Sequence, residues 1–144
     1  MTMTFDGLFI KKKINEIENY IKEIKDFLQF SDKEIFADSG KMHIAERLLQ
    51  LVVDAILDIN QHIIRELDLK IIEDFQGTFH ILAKNNILPE DFAEKIAPVV
   101  AVRNRIVHGY ESLDKKLFIA NLRKNHSDFE NYIRFIEEYL EKNN

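Results

Sequence analysis

Apolar residues recur at helical spacing along almost the whole chain. Ile14, Ile17, Tyr20, Ile21, Ile24, Phe27 and Leu28 step by threes and fours, which places them on one stripe of an amphipathic helix. The stripe stops near Phe30. There Ser31 and Glu34 have the spacing of a capping box and predict a new helix start. From about Lys41 to Leu67, entered through Ser39 and Gly40, apolar residues from Ile44 and Leu48 through Val52, Val53, Ile56 and Ile59 to Ile63 and Ile64 cover more than one face. A helix with that pattern is central to a bundle, or packs against a second protomer as well as its own core.

A third, shorter helix is expected over roughly Ile71–Lys84, ending at Asn85–Asn86. A fourth starts at Pro89–Glu90–Asp91, since proline and acids suit a first helical turn. It continues to His108 with a kink at Pro98, which lacks the N–H for one helical bond. Gly109 suits the left-handed position just past a helix end. Asp114 can cap a final helix, Lys115–Glu141, with Leu117, Leu122, Phe129, Ile133, Ile136 and Leu140 turned inward. Four glycines and two prolines in 144 residues leave little punctuation, so helices should be long and connections short. The expectation is an all-α antiparallel bundle of four to five helices, in a single domain over residues 1–144 with no repeats or internal linker.

Composition narrows the function classes. With 46% hydrophobic and 31% charged residues, the chain can bury a real core and is too apolar for disorder. No apolar run approaches the ~20 residues that cross a bilayer, so no membrane association is expected. In the N-terminal stretch "MTMTFDGLFIKKK" the apolar residues precede the lysines, the reverse of a secretory signal. The absence of cysteine excludes disulfides and thiolate chemistry and suits a cytoplasmic setting. The formal net charge of −5 is the wrong sign for tight, nonspecific nucleic-acid binding. It leaves room for a small basic cleft that handles a single phosphodiester. No glycine-rich loop is present to cradle a phosphate, and no cofactor is expected.

The candidate chemistry sits in "VRNRIVHGY", residues 102–110. If Gly109 ends the fourth helix, Asn104 and His108 are four apart and share a face, and Arg105 and His108 are three apart. Arg103 lies well round the helix but can reach the same cleft from one side. The negative end of the helix dipole favours a protonated His108. Cleavage of RNA without a metal needs a base for the ribose 2′-OH and a cation for charge building on phosphorus oxygens. Histidine and arginine are suited to those two tasks. Asn104 could orient the histidine or donate to a phosphate oxygen. One histidine is few for two proton transfers, and a symmetric dimer would supply a second. The plainer reading of the same residues is a helix-end cap with a salt bridge.

Arg103–Asn104–x–x–x–His108–x–Tyr110 resembles the R-x4-H-x-Y motif of the HEPN superfamily. The flanks "LPEDFAEKIAPVVAVRNRIVHGY" and "LDKKLF" resemble the HepT group of small stand-alone HEPN proteins, and the helical layout agrees over nearly the whole chain. The resemblance implies a metal-independent endoribonuclease toxin that cuts RNA, tRNA among the targets, as a homodimer with its cleft between protomers. It implies catalytic roles for Arg103 and His108 and a supporting role for Asn104; Arg105, beside His108 on the helix, is itself read as a substrate contact. It further implies an MntA-like nucleotidyltransferase antitoxin that adds AMP to Tyr110. A negative, bulky group at the cleft mouth would repel an RNA phosphate. Lys115 and Lys116 could join Arg103 and Arg105 from both chains to make the cleft basic. A different class remains open: a non-catalytic HEPN partner that binds substrate for a nucleotidyltransferase.

Asp54 and Asp58 are four apart on the apolar second helix. They read either as partners of Arg105 or a lining opposite His108, or as a solvated stripe between packed faces. No third carboxylate or histidine is spaced to complete a metal site. His43, His62, His80 and His126 form no dense ligand pattern, and His62 with Glu66 reads as a surface pair. Lys11–Lys13, and Arg123 with Lys124 and His126, read as small solvated basic spots.

Overall fold

The computed structural model describes residues 7–70, 74–109 and 113–143. The regular structure among them is helical throughout: α1 (Gly7–Phe27), α2 (Asp32–Phe36), α3 (Ser39–Glu66), α4 (Gly77–Lys84), α5 (Glu90–Ile96), α6 (Val99–His108), α7 (Lys115–Asn125) and α8 (Ser127–Lys142). Among the described residues, no helix is long and apolar enough to cross a membrane.

The predicted stripe of α1 is the buried one, with Ile10, Ile14, Ile17, Ile21, Ile24 and Phe27 turned inward. The capping box at Ser31 is formed: its hydroxyl accepts from the Glu34 N–H at 3.1 Å, and Glu34 accepts from the Ser31 N–H at 3.0 Å. It opens the short helix α2. α3 is the central rod. It is capped by Asp38, whose carboxylate accepts from the Gly40 N–H at 2.9 Å, and it packs against α1, α2, α4 and α6. That many neighbours explains why its buried residues run round the helix, although Ile44 remains 52% exposed. α1 and α3 run antiparallel, because Lys13 pairs with Asp58 at 3.0 Å and Phe9 stacks on His62 at 4.5 Å. The sequence number rises along one helix as it falls along the other.

Two long predicted segments are each divided. At Pro98 the ring supplies no N–H. The next bonds run from Val100 to Ala97 and from Ala101 to Pro98 over three residues, so α6 starts afresh instead of continuing through a kink. The predicted last helix breaks at His126. Its ring Nδ1 lies 3.0 Å from the Leu122 carbonyl and 3.1 Å from that of Arg123, and Phe129 bonds back to the His126 carbonyl over three residues. The predicted third segment appears as α4, from Gly77 onward; residues 71–73 lie outside the described set.

Arg123 is not part of a free basic spot. Its guanidinium donates to the carbonyls of Leu28 (2.8 Å) and Phe30 (2.7 Å) and to Asp32 (2.9 Å), so it satisfies carbonyls left open past the end of α1. His62 is also no simple surface pair. Its side chain is only 12% exposed, and it stands 4.0 Å from Glu66.

The core contains one polar knot. Asn60 donates to Thr78 Oγ1 at 3.0 Å and accepts from the Tyr132 hydroxyl at 2.5 Å, while Thr78 donates to the Phe75 carbonyl at 2.6 Å. All three side chains are buried. Burial raises the Tyr132 phenol well above its ordinary pKa, so the hydroxyl stays a donor. The knot ties α3, α4 and α8 in one register.

Candidate functional site

The break at Pro98 frees α6 to lie across α3 on its own line. Val100 is the only fully buried residue among those described in α6, with Val99, Val102 and Ile106 partly buried against the core, so the polar side of this helix is open to solvent. Its end is set by Gly109 at φ 62°, the left-handed conformation expected there.

Arg103 reaches inward to α3. Its Nε donates to Asp54 Oδ1 at 2.7 Å, and its Nη1 donates to Asn104 Oδ1 at 3.1 Å. The side chains of Arg103 and Asp54 are 21% and 35% exposed, so this is a half-buried, charge-assisted contact, stronger than a surface pair. Asp54 therefore pairs with Arg103, not with Arg105, and the solvated-stripe reading does not hold for it. Asp58 pairs with Lys13, which removes Lys13 from the solvated lysine run. Among the described residues, no three His, Asp or Glu side chains gather into a metal-binding group.

The two contacts matter for direction. On a helix, residues 103 and 108 are about 140° apart at ~100° per residue, so Arg103 alone would point away from His108. The bond to Asn104 links Arg103 to a residue four positions from His108, on the face that His108 shares. Arginine has five N–H donors; two are engaged, and three remain for an anionic ligand. His108 is exposed in the last turn of α6.

Arg105 occupies the other side of α6. It lines a cavity of about 630 Å³ between α5–α6 and α7–α8, with Val102, Leu117, Asn121 and Asn125 among its walls. Arg103 and Asn104 are joined to each other and to α3 through Asp54, and Arg105 faces a separate recess. Lys115 and Lys116 are exposed in the first turn of α7, which Asp114 caps by accepting from the Leu117 N–H at 3.0 Å. Tyr110 lies outside the described residues.

The sequence reading named Asp54 with Arg105 as one candidate partner and a solvated stripe as the plainer alternative; neither is what Asp54 does. Two acids four apart amid the apolar run of α3 were the available signal; the partner of Asp54 depends on how α6 crosses α3. The asparagines of the recess were not anticipated, and two amides one turn apart carry no signal by themselves.

The ribonuclease HepT-like family model matches residues 17–136. The chain is 32% identical over 136 residues to the tRNA nuclease HepT of Aphanizomenon flos-aquae, covering 94% of this chain and 92% of that protein. It is 30% identical over 132 residues to the mRNA nuclease HepT of Shewanella oneidensis, covering 89% and 96% respectively. Among solved structures, it is similar to the tri-AMPylated Shewanella oneidensis HEPN toxin in complex with MNT antitoxin. The TM-score is 0.84 at 27% identity, over 90% of this chain and 97% of that one. A toxin–antitoxin structure with AMP-PNP gives a TM-score of 0.80 at 28% identity, over 89% and 97%.

Proposed function

The chain belongs to the ribonuclease HepT-like family, and on that premise we propose that it is an endoribonuclease toxin cutting RNA without a metal. tRNA is the first substrate to test, because one relative is named a tRNA nuclease and another an mRNA nuclease. The observation that carries the reading is the Arg103 guanidinium. It is held by Asp54 at 2.7 Å and by Asn104 at 3.1 Å, on the helix that ends in His108.

In this reading, the free donors of Arg103 grip the non-bridging oxygens of the scissile phosphate. Their charge stabilises the transition state more than the ground state. His108 takes the proton from the ribose 2′-OH. The 2′ oxygen attacks phosphorus, the bond to the 5′ oxygen breaks, and that oxygen leaves with a proton from a second imidazole. The products are a 2′,3′-cyclic phosphate and a 5′-hydroxyl. The second imidazole comes from His108 of a second copy in a two-fold dimer. Asp54 and Asn104 are positioning residues.

A nucleotidyltransferase of the kind that accompanies the structural relatives would silence the site. It transfers AMP from ATP to the Tyr110 hydroxyl, and pyrophosphate leaves. The added phosphate opposes the RNA backbone at the cleft.

The test is incubation of the purified protein with tRNA in EDTA. The wild type should cut, and His108→Ala should not. Intact tRNA with the wild type, or equal cutting by His108→Ala, overturns the proposal. Expression in a bacterial host should stop growth, and Arg103→Ala should restore it; a non-catalytic partner protein would give no such rescue.

A further inference from the structure

The recess on the far side of α6 has a chemistry of its own. Its volume of about 630 Å³ falls within the ~300–1,000 Å³ typical of small-molecule sites. One wall is apolar and includes Val102 and Leu117. On α7, Asn121 and Asn125 stand one turn apart and therefore share a face. His126 completes that side. Its Nδ1 lies 3.0 and 3.1 Å from two carbonyl oxygens, so Nδ1 carries the proton, and Nε2 is an acceptor in the neutral ring. Two amides and an imidazole nitrogen beside an apolar wall match the donors and acceptors on the edge of a nucleobase and the face of its ring.

The charges at the recess point the same way. Asp114 is committed to its cap and Asp128 to Lys95 at 3.2 Å. Arg105 is exposed and, among the described residues, has no hydrogen-bond or ion-pair partner. It lies on the opposite side of α6 from Arg103 and three residues from His108. A guanidinium at the recess is a ready contact for the phosphate of a nucleotide whose base enters there. RNA bases are commonly read after leaving the stack, by an apolar face and by hydrogen bonds to the exposed edge.

We propose that the recess between α6 and α7 binds one unstacked base of single-stranded RNA, with Asn121, Asn125 and His126 reading its edge and Arg105 holding its phosphate. This rests on the nuclease reading for its place beside the cut, but it is tested separately by binding.

The probes are fluorescein-labelled 12-mers of oligo(rA), oligo(rC) and oligo(rU), and a 12-mer abasic ribose–phosphate strand of equal charge. Anisotropy titrations use full-length His108→Ala protein, which should leave the RNA uncut. At least one homopolymer should bind about tenfold or more tightly than the abasic strand, the size of one base's contact. Asn121→Met with Asn125→Leu fills the recess with aliphatic chains and offers no ring to stack on. It should shrink that gap to under twofold and leave abasic binding unchanged. Arg105→Ala should weaken every strand alike. If the double variant melts early, Asn121→Ala alone, an exposed site, should still narrow the gap severalfold.

No homopolymer exceeding the abasic strand, or a gap unchanged in the filled recess, overturns the proposal. So does unchanged RNA binding together with lost binding to a co-expressed nucleotidyltransferase, which would make the recess a protein seat. Uncut tRNA with the gap intact would sink the nuclease reading and keep the recess; cut tRNA with no gap would do the reverse.

Discussion

Replacing Asp54 with alanine isolates what holds the guanidinium. The contact is short, 2.7 Å, but its two side chains are 21% and 35% exposed. A fully buried charge-assisted bond contributes ~1.5–3 kcal/mol; solvent screening at this exposure reduces that to about 1 kcal/mol. The melting temperature should fall by about 3 °C for a chain of this size. Activity should suffer far more. Without Asp54, Arg103 keeps its charge and its bond to Asn104 but loses its anchor on α3. A misplacement on the order of 1 Å costs up to ~100-fold, so kcat should drop roughly 10- to 100-fold. KM should stay level or fall, because the released guanidinium still attracts phosphate. The assay is initial rate against tRNA concentration, beside a thermal melt. The double variant Asp54→Ala with Arg103→Ala should be no slower than Arg103→Ala alone, since both act through one group. Wild-type kcat in Asp54→Ala, or a loss matched by the unfolded fraction, would refute the positioning argument.

Asn60→Ala removes the 2.5 Å acceptor of the Tyr132 hydroxyl and the amide donor to Thr78, leaving those buried groups only the Ile56 and Phe75 carbonyls. It should cost about 3 kcal/mol in urea unfolding, and Tyr132→Phe about 1–2 kcal/mol. Gly109→Ala meets no neighbouring atom within 4 Å and pays only for its positive φ, about 1 kcal/mol; Gly109→Asn should lose less on the same thermal scan. The Ser31 backbone N–H, donating to Glu34 Oε1 at 3.0 Å, holds the Glu34 carboxyl below its ordinary pKa, and the Ser31 hydroxyl adds to the effect. The sign follows from the lowered folded-state pKa: stability is present above the unfolded value of ~4.3 and is lost as pH falls through the folded one. The melting advantage of wild type over Glu34→Gln should therefore be full at pH 6 and shrink steadily below pH ~4.

Periodicity carried most of the architecture. The stripe of α1, the many-faced burial of α3, the caps at Ser31 and Asp114 and the turn at Gly109 depend on local spacing, which a sequence displays directly. Pro98 announced a fault in its segment but not that the helix would restart there. His126 announced nothing, because its break comes from a ring bonding back to its own backbone in one rotamer. The motif on α6 was visible as a cluster; which arginine meets Asp54 was not, because it depends on the crossing of two helices 49 residues apart. Arg123 looked like a surface charge for the same reason, since its three acceptors lie more than 90 residues away.

α6 has one fully buried residue, Val100, with Val99, Val102 and Ile106 packed partly buried against the core, whereas α3 buries thirteen residues. Amides of α6 should therefore exchange with deuterium through small openings, long before those of α3 do. The segment bearing the chemistry is also the one whose order depends most on whatever lies over it. A second copy or a strand of RNA settling there would tighten this segment on contact, and α6 amides should then exchange more slowly.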